Sequence, residues 1–173
     1  FLAEDFVRDK DAVSACSLLA EICAYAKDNG KTLYDILMDI YKEYGFSKEH
    51  TINVERLGKA GAEEIQQMMA NFRSNPPKDL GGSTVVLCKD YKTLEARDAD
   101  GNITKLVMPE TSNVLQWFCN DGTKVSVRPS GTEPKIKFYI EVKDVLTDAS
   151  QYEALSNKAM QKIEAIKQSL GLK

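Results

Sequence analysis

The sequence has little of what builds a metal centre or a disulfide framework. Its 173 residues include one histidine, His50, and four cysteines, none of which is paired as C-x-x-C. Zinc sites need clustered thiols and imidazoles, so this composition argues against zinc and favours reduced thiols in a cytoplasmic protein. Cys16 and Cys23 share an apolar face of a predicted helix, which predicts that both are buried. His50 has no identifiable catalytic partner, so we expect it on a linker surface.

The chain also lacks a long apolar run and a charge excess of either sign. No apolar segment approaches the ~20 residues of a membrane-spanning helix, and no signal-like leader opens the chain. The formal net charge is −3, so neither nucleic acid nor an anionic membrane is an expected partner. We expect a soluble protein in which anion binding is local. Because the chain begins at Phe1 and not at methionine, we also expect a piece of a longer polypeptide.

Apolar periodicity predicts two helices near the start of the chain. The first spans residues 9–29, and the second spans residues 32–44 with Thr32 as its N-cap and Gly45 as its stop. Together they predict an αα-hairpin. The composition changes within residues 46–58, where we place a domain junction, giving a first domain at residues 1–50 and a second at residues 51–173.

The second predicted domain begins and ends with a helix. A helix is predicted from Gly61 until Pro76 forbids its continuation, and a Ser150-x-x-Glu153 capping box precedes the final helix. Between the helices, several segments alternate apolar and polar residues and are separated by turn signals. This order predicts an α+β domain in which an antiparallel sheet carries helices on one face.

A short acidic segment at residues 98–102, DADGN, invites a metal interpretation. Its spacing does not match an EF-hand loop, in which the glycine comes later and a glutamate closes the site. A hairpin turn is the favoured interpretation, and no metal ligand is expected in this chain.

The richest chemistry lies in residues 128–134, RPSGTEP, between two segments of period-two alternation. Pro129 and Pro134 shape the loop, and Gly131 can take positive φ, so several backbone amides can turn inward. Arg128, the loop hydroxyls and a nearby Lys135 or Lys137 offer what a dianionic phosphate needs. These residues are also ordinary in loops, so from chemistry alone a tight connection with polar decoration is an equal alternative.

The loop and the KIK that follows it at residues 135–137 resemble the C-terminal phosphate-binding loop of the phosphoglucomutase/phosphomannomutase (α-D-phosphohexomutase) superfamily. RDKD at residues 8–11, and GKTL at residues 30–33 leading to YKEYG at residues 41–45, look like the end of that family's third domain. The resemblance covers essentially the whole chain. It implies a C-terminal fragment that holds a helical remnant of the α/β third domain and a fourth domain similar in fold to the TATA-binding protein.

The resemblance also implies an isomerase of carbohydrate metabolism that interconverts hexose 1-phosphate and 6-phosphate. In the family a phosphoserine donates its phosphoryl group, a bisphosphorylated sugar forms and reorients, and Mg²⁺ is bound. By position, the ligands of the non-transferring phosphate would be Arg128, Ser130, Gly131, Thr132 and, more weakly, Lys137. Lys10 matches a family lysine near the transferring phosphoryl group, and Arg8 joins it as a candidate. A solvated helix N-terminus is the alternative for both.

The family's phosphoserine, metal and sugar loops have no counterpart in this sequence. Phosphoryl transfer needs positioning and a metal that neutralises developing charge, so we expect this chain alone to be inactive. Its expected partners are a hexose phosphate, or inorganic phosphate or sulfate at the loop, and the remaining mutase domains. The alternative is an autonomous, non-catalytic module that binds a phosphorylated ligand.

Overall fold

The computed structural model describes residues 10–172, which form two compact units. One unit contains residues 10–45 and Val145–Tyr152, and the other contains Phe46–Asp144 and the chain from Glu153 onward. The helices are α1 (Ala12–Asp28), α2 (Leu33–Tyr44), α3 (Gly58–Ser74) and α4 (Tyr152–Ser169). The strands are β1 (Phe46–Glu55), β2 (Asp79–Leu80), β3 (Ser83–Asp90), β4 (Glu95–Asp98), β5 (Ile103–Lys105), β6 (Leu115–Cys119), β7 (Lys124–Pro129) and β8 (Lys135–Asp144).

The first unit contains the predicted helical hairpin, and its caps explain its bounds. α1 starts after Asp11, whose carboxylate accepts a hydrogen bond from the backbone N–H of Ser14 at 2.8 Å. α2 starts with a capping box in which Thr32 and Asp35 each accept a bond from the other's backbone N–H. Gly45 then ends α2 with φ of 93°, a conformation that glycine adopts without a Cβ clash.

The predicted burial of Cys16 and Cys23 is wrong, because both thiols are exposed. The reason is that α1 buries little within its unit. Its buried residue is Ala26, while large apolar side chains such as Val13 and Tyr25 face outward. An apolar stripe predicts that a helix packs against something, but it does not decide which of its residues are covered.

The second unit is built on a sheet whose strands follow the order β1-β8-β7-β6-β3-β4-β5, with β2 paired to β3. Every pairing is antiparallel, which confirms the predicted α+β fold class. β1 pairs with β8 over its whole length, from Phe46 opposite Asp144 to Glu55 opposite Lys135. His50 therefore lies in a strand and not in a linker. The predicted domain boundary between residues 50 and 51 stays a prediction.

One face of the sheet carries the core. Alternate residues of β8, beginning with Ile136 and Phe138, are almost fully buried, whereas their neighbours remain half-buried or exposed. α3 packs on the buried face, where the ring of Phe72 lies 5.2 Å from Trp117 and 6.0 Å from Phe138 between centroids. α4 also buries an apolar stripe that includes Ile163. The opposite face of the sheet is polar and carries the features described below.

A polar cluster, which we call the α4 anchor, ties the last helix to the sheet. Lys162 of α4 forms an ion pair with Asp121 in the β6–β7 turn and donates to the Ser83 hydroxyl of β3 at 2.7 Å. Ser83 in turn donates to Asp121 at 2.8 Å. The predicted Ser150 cap is wrong in detail: Asp148 caps a single 3₁₀ turn at Ala149–Gln151 that leads into α4. Aspartate accepts the same backbone bonds as serine, so both residues fit the cap pattern.

No helix within residues 10–172 is long and apolar enough to cross a membrane.

Candidate phosphate-binding site

The loop at residues 128–134 connects β7 to β8 at the end of their pairing. Arg128 lies directly opposite Lys137, and Pro129 lies opposite Ile136. Directly opposed residues of an antiparallel pair project from the same face, so the Arg128 and Lys137 side chains share the polar face of the sheet. A pocket of about 180 Å³ opens there, lined by Arg128, Pro129, Ser130, Glu133, Lys135, Lys137 and Tyr139.

Three cations and one carboxylate line this pocket. Among the described residues, neither Arg128 nor Lys137 finds a hydrogen-bonding or ion-pairing partner for its side chain. Like charges directly opposite in a sheet are destabilising, and the Glu133 carboxylate, which attracts Lys137, offsets only part of this repulsion. A dianion placed between the two groups would remove that repulsion and accept several charge-assisted hydrogen bonds.

The third cation is partly neutralised. Lys135 forms an ion pair with Glu133, which lowers the pKa of the Glu133 carboxyl and raises the pKa of the Lys135 ammonium. Both groups are at the protein surface, where water screens such a pair and its contribution to stability is small. Lys135 is therefore free to exchange this carboxylate for a ligand oxygen.

Hydrogen bonds within the chain set the shape of the loop. The Ser130 N–H donates to the Lys135 carbonyl at 2.8 Å, and the Arg56 N–H donates to the Pro134 carbonyl at 2.9 Å. The Ser130 hydroxyl oxygen accepts long bonds from the N–H groups of Thr132, at 3.4 Å, and Glu133, at 3.3 Å. Hydrogen bonds of this length are weak. The two N–H groups therefore point towards one place, and replacing their bonds to Ser130 by bonds to an anion costs little free energy.

The predicted use of positive φ at Gly131 is wrong, because its φ lies outside that region. A Cβ built at Gly131 would have no other atom within 4 Å. The loop reaches its shape through the two prolines and the Ser130 bonds, so it needs no left-handed residue at this position. What glycine leaves at Gly131 is open space above the backbone.

The structure brings together most, but not all, of the predicted ligands. Arg128, Ser130 and Lys137 line the pocket, whereas Gly131 and Thr132 lie in the exposed part of the same loop. Tyr139 also lines the pocket and was missed in the sequence. Its signal was the period of two in β8, which places Tyr139 on the same face as Lys137.

Of the two predicted catalytic candidates, Lys10 belongs to the other unit. Arg8 lies outside the described residues. Lys10 is exposed and directly precedes Asp11, the N-cap of α1. Its proposed part in phosphoryl transfer stays a prediction.

The acidic segment at residues 98–102 is a hairpin turn between β4 and β5, as predicted. The Asp98 carboxylate accepts bonds from the backbone N–H groups of Asp100 and Asn102 and from the Asn102 side chain, and these bonds lower its pKa. Within residues 10–172, no cluster of three or more histidine, cysteine, aspartate or glutamate residues is arranged to hold a metal ion.

The chain is similar to known proteins over most of its length. The family described as phosphoglucomutase/phosphomannomutase, C-terminal domain, matches residues 52–158, which include the loop. A protein named phosphoglucomutase from Staphylococcus aureus (strain N315) is 39% identical over 83% of this chain and 26% of its own length. One of the same name from Staphylococcus haemolyticus is 34% identical over 82% of this chain and 26% of its own. The chain thus spans about a quarter of the length of these relatives.

A solved structure was also found. The open form of pp63/parafusin, a phosphoglucomutase from Paramecium, aligns with 98% of this chain and 29% of its own, at 18% identity and a TM-score of 0.47. This likeness is too weak to support an argument about function.

Proposed function

This chain belongs to the phosphoglucomutase/phosphomannomutase family, whose C-terminal domain it carries, and we propose that it supplies the substrate-phosphate site of a phosphohexomutase. The parent enzyme would be an isomerase that interconverts hexose 1-phosphate and 6-phosphate through a phosphoserine and a bisphosphorylated sugar. The loop at residues 128–134 would hold the phosphate that is not being transferred. Its task is binding and orientation, since no bond to that phosphate forms or breaks.

The observation that carries the proposal is the opposed pair Arg128 and Lys137, which lack a carboxylate partner among the described residues. The Arg128 guanidinium can donate two parallel hydrogen bonds to two phosphate oxygens. Lys137 approaches as a point charge from the neighbouring strand, and the Ser130 hydroxyl donates to a third oxygen. Fixing one phosphate by several groups also fixes the orientation of the sugar attached to it.

The phosphoserine and the metal site of the transfer step are assigned to other parts of the parent. Mg²⁺ supplies charge neutralisation in phosphoryl transfer, but the described carboxylates of this chain do not fit it, so no step here depends on the metal. Lys10, with Arg8, is proposed to stabilise charge near the transferring phosphoryl group. A cytoplasmic location is part of the same proposal.

Ligand-linked stability tests the binding site. A ligand that binds only the folded state adds about 2.7 kcal/mol of stability at one hundred times its Kd. We expect inorganic phosphate to raise the unfolding temperature of the second unit, followed by the fluorescence of Trp117, which is buried there. Arg128→Ala should abolish that rise. Arg97→Ala is the matched control, because Arg97 is an exposed strand arginine outside the pocket.

An equal phosphate effect in the Arg128→Ala variant would contradict the proposed site. A coupled mutase assay on the isolated chain tests the assignment of catalysis to other domains. We expect no turnover of hexose 1-phosphate with Mg²⁺ present. Turnover by the isolated chain would contradict that assignment.

A further inference from the structure

The polar face of the sheet continues from the phosphate pocket as ordered rows of side chains. The row nearest the loop joins Arg128 and Lys137 to Asn53 of β1. The next row on the same face, which we call the hydroxyl row, consists of Gln116, Ser126, Tyr139 and Thr51 across four strands. Adjacent rows on one face are two residues apart, or about 7 Å along the strands.

The hydroxyl row is oriented by a chain of hydrogen bonds. The Tyr91 hydroxyl donates to the Gln116 side-chain oxygen at 2.8 Å, and the Gln116 amide nitrogen donates to the Ser126 hydroxyl oxygen at 2.9 Å. These two bonds fix which end of the Gln116 amide faces Ser126. With one acceptor position of its oxygen occupied, Ser126 is left with a hydroxyl proton to donate. The row therefore presents a hydroxyl donor at Ser126, beside Tyr139.

Tyr139 lies directly opposite Ser126 in the same row, next to the phosphate pocket. Its side chain lines that pocket, is 39% exposed and makes no hydrogen bond to another described residue. An exposed tyrosine offers an apolar ring face and a polar tip. A sugar ring has the complementary surface, with apolar C–H groups on its faces and hydroxyls at its edge.

The far side of the hydroxyl row is closed. There Glu141 forms ion pairs with Lys124 and Lys143, so these charges already have partners. The open stretch of the face thus runs from the unpaired cations to the hydroxyl row. That distance fits one sugar ring attached to a phosphate.

We propose that Tyr139 and Ser126 form a subsite for the sugar ring of a hexose phosphate whose phosphate lies between Arg128 and Lys137. This inference rests on the proposed function and extends it to the substrate's sugar. Tyr139 contributes its ring face, and Ser126 donates a hydrogen bond to a ring hydroxyl. The competing explanation is that the row is an ordinary solvated face of an antiparallel sheet.

Two phosphate monoesters separate these explanations. Glucose 6-phosphate carries the ring, and glycerol 3-phosphate carries a similar charge without it. We expect the full 173-residue chain to bind glucose 6-phosphate about three- to tenfold more tightly, the size of one or two modest polar contacts, in titrations followed by NMR.

Tyr139→Ala and Ser126→Ala should each move this ratio of Kd values towards one. Ser126→Ala should also leave the Kd for glycerol 3-phosphate unchanged, because Ser126 does not line the phosphate pocket. Tyr25→Ala, which removes an exposed tyrosine from the other unit, is the control and should preserve the ratio. Ser126→Ala keeps the test informative if Tyr139→Ala fails to fold, and Trp117 fluorescence reports folding of both.

The outcomes distinguish this inference from the proposed function. If Arg128→Ala leaves glycerol 3-phosphate binding unchanged, the phosphate site itself is wrong. If Arg128 is required but the wild-type ratio is one, or both row variants retain the wild-type ratio, the sugar subsite is overturned and the phosphate site stands.

Discussion

Replacing Gly61 with alanine tests how the phosphate loop is held in place. Gly61 is buried in α3, and a Cβ there would lie 2.5 Å from the backbone carbon and oxygen of Arg56. Arg56 is also the residue whose backbone N–H holds the Pro134 carbonyl of the loop. A methyl group at Gly61 therefore pushes on the same backbone segment that supports the loop.

The magnitude follows from the size of the overlap. Carbon atoms in contact prefer about 3.5 Å or more, so the Arg56 backbone must move by about 1 Å to accept the methyl group. Overpacking costs about 1–3 kcal/mol, and because the atoms that must move here are backbone atoms, we expect the upper part of that range, about 2–3 kcal/mol. Alanine regains about 1 kcal/mol of helix propensity over glycine. The net expectation for Gly61→Ala is a loss of about 1–2 kcal/mol, or about 3–6 °C in unfolding temperature.

Trp117 fluorescence is the suitable assay, because this tryptophan is buried and belongs to the unit that contains Gly61. Gly131→Ala is the control for stability: its added Cβ meets no atom and its φ is acceptable to alanine. We expect that variant to be unchanged or slightly stabilised. Gly61→Ala should also weaken phosphate binding, since the displaced Arg56 N–H supports the loop.

Wild-type stability in Gly61→Ala would refute this reasoning, because it would mean that the close contact relaxes at no cost. Normal phosphate affinity in a destabilised Gly61→Ala variant would refute the coupling between Gly61 and the loop through the Arg56 backbone.

Three further predictions concern individual side chains. The ion pair with Lys135 lowers the pKa of the Glu133 carboxyl, so it contributes to stability above the ordinary glutamate pKa and is lost as the pH falls through the lowered pKa. Carbon-detected NMR should show a low titration midpoint for Glu133 that rises in Lys135→Gln. An unchanged midpoint in that variant would count against the ion pair. Lys162→Met removes the cation of the α4 anchor and should lower the free energy of unfolding of the second unit by about 1–2 kcal/mol. An unaltered unfolding temperature would contradict a stabilising role for the anchor. Burial raises the pKa of the Cys88 thiol, so at pH 8 iodoacetamide should modify the exposed Cys16 before Cys88. Mass spectrometry follows the two modifications. Equal rates would contradict the burial of Cys88.

Local patterns predicted the elements that depend on local chemistry. Alternation of apolar and polar residues on either side of the loop predicted β7 and β8, because period two is a property of each strand alone. Thr32 and Gly45 marked the bounds of α2 for the same reason, since caps act within one turn.

Features that depend on distant contacts could not be predicted in this way. The exposure of Cys16 is decided by what packs against α1, and the hydroxyl row is decided by the register of four strands. Tyr139 thus joined the candidate site only when β7 and β8 were paired. The resemblance to a known family supplied Arg128 and its neighbours as ligands, but the lack of a carboxylate partner for Arg128 is visible only in the structure.

Titration of the ¹⁵N-labelled chain with inorganic phosphate tests the central claim most directly. The account predicts saturable shifts in the backbone amides of residues 128–137, which surround the unpaired Arg128 and Lys137, and their loss in Arg128→Ala. Equal shifts in the two proteins would contradict the claim that this loop binds the phosphate of the substrate.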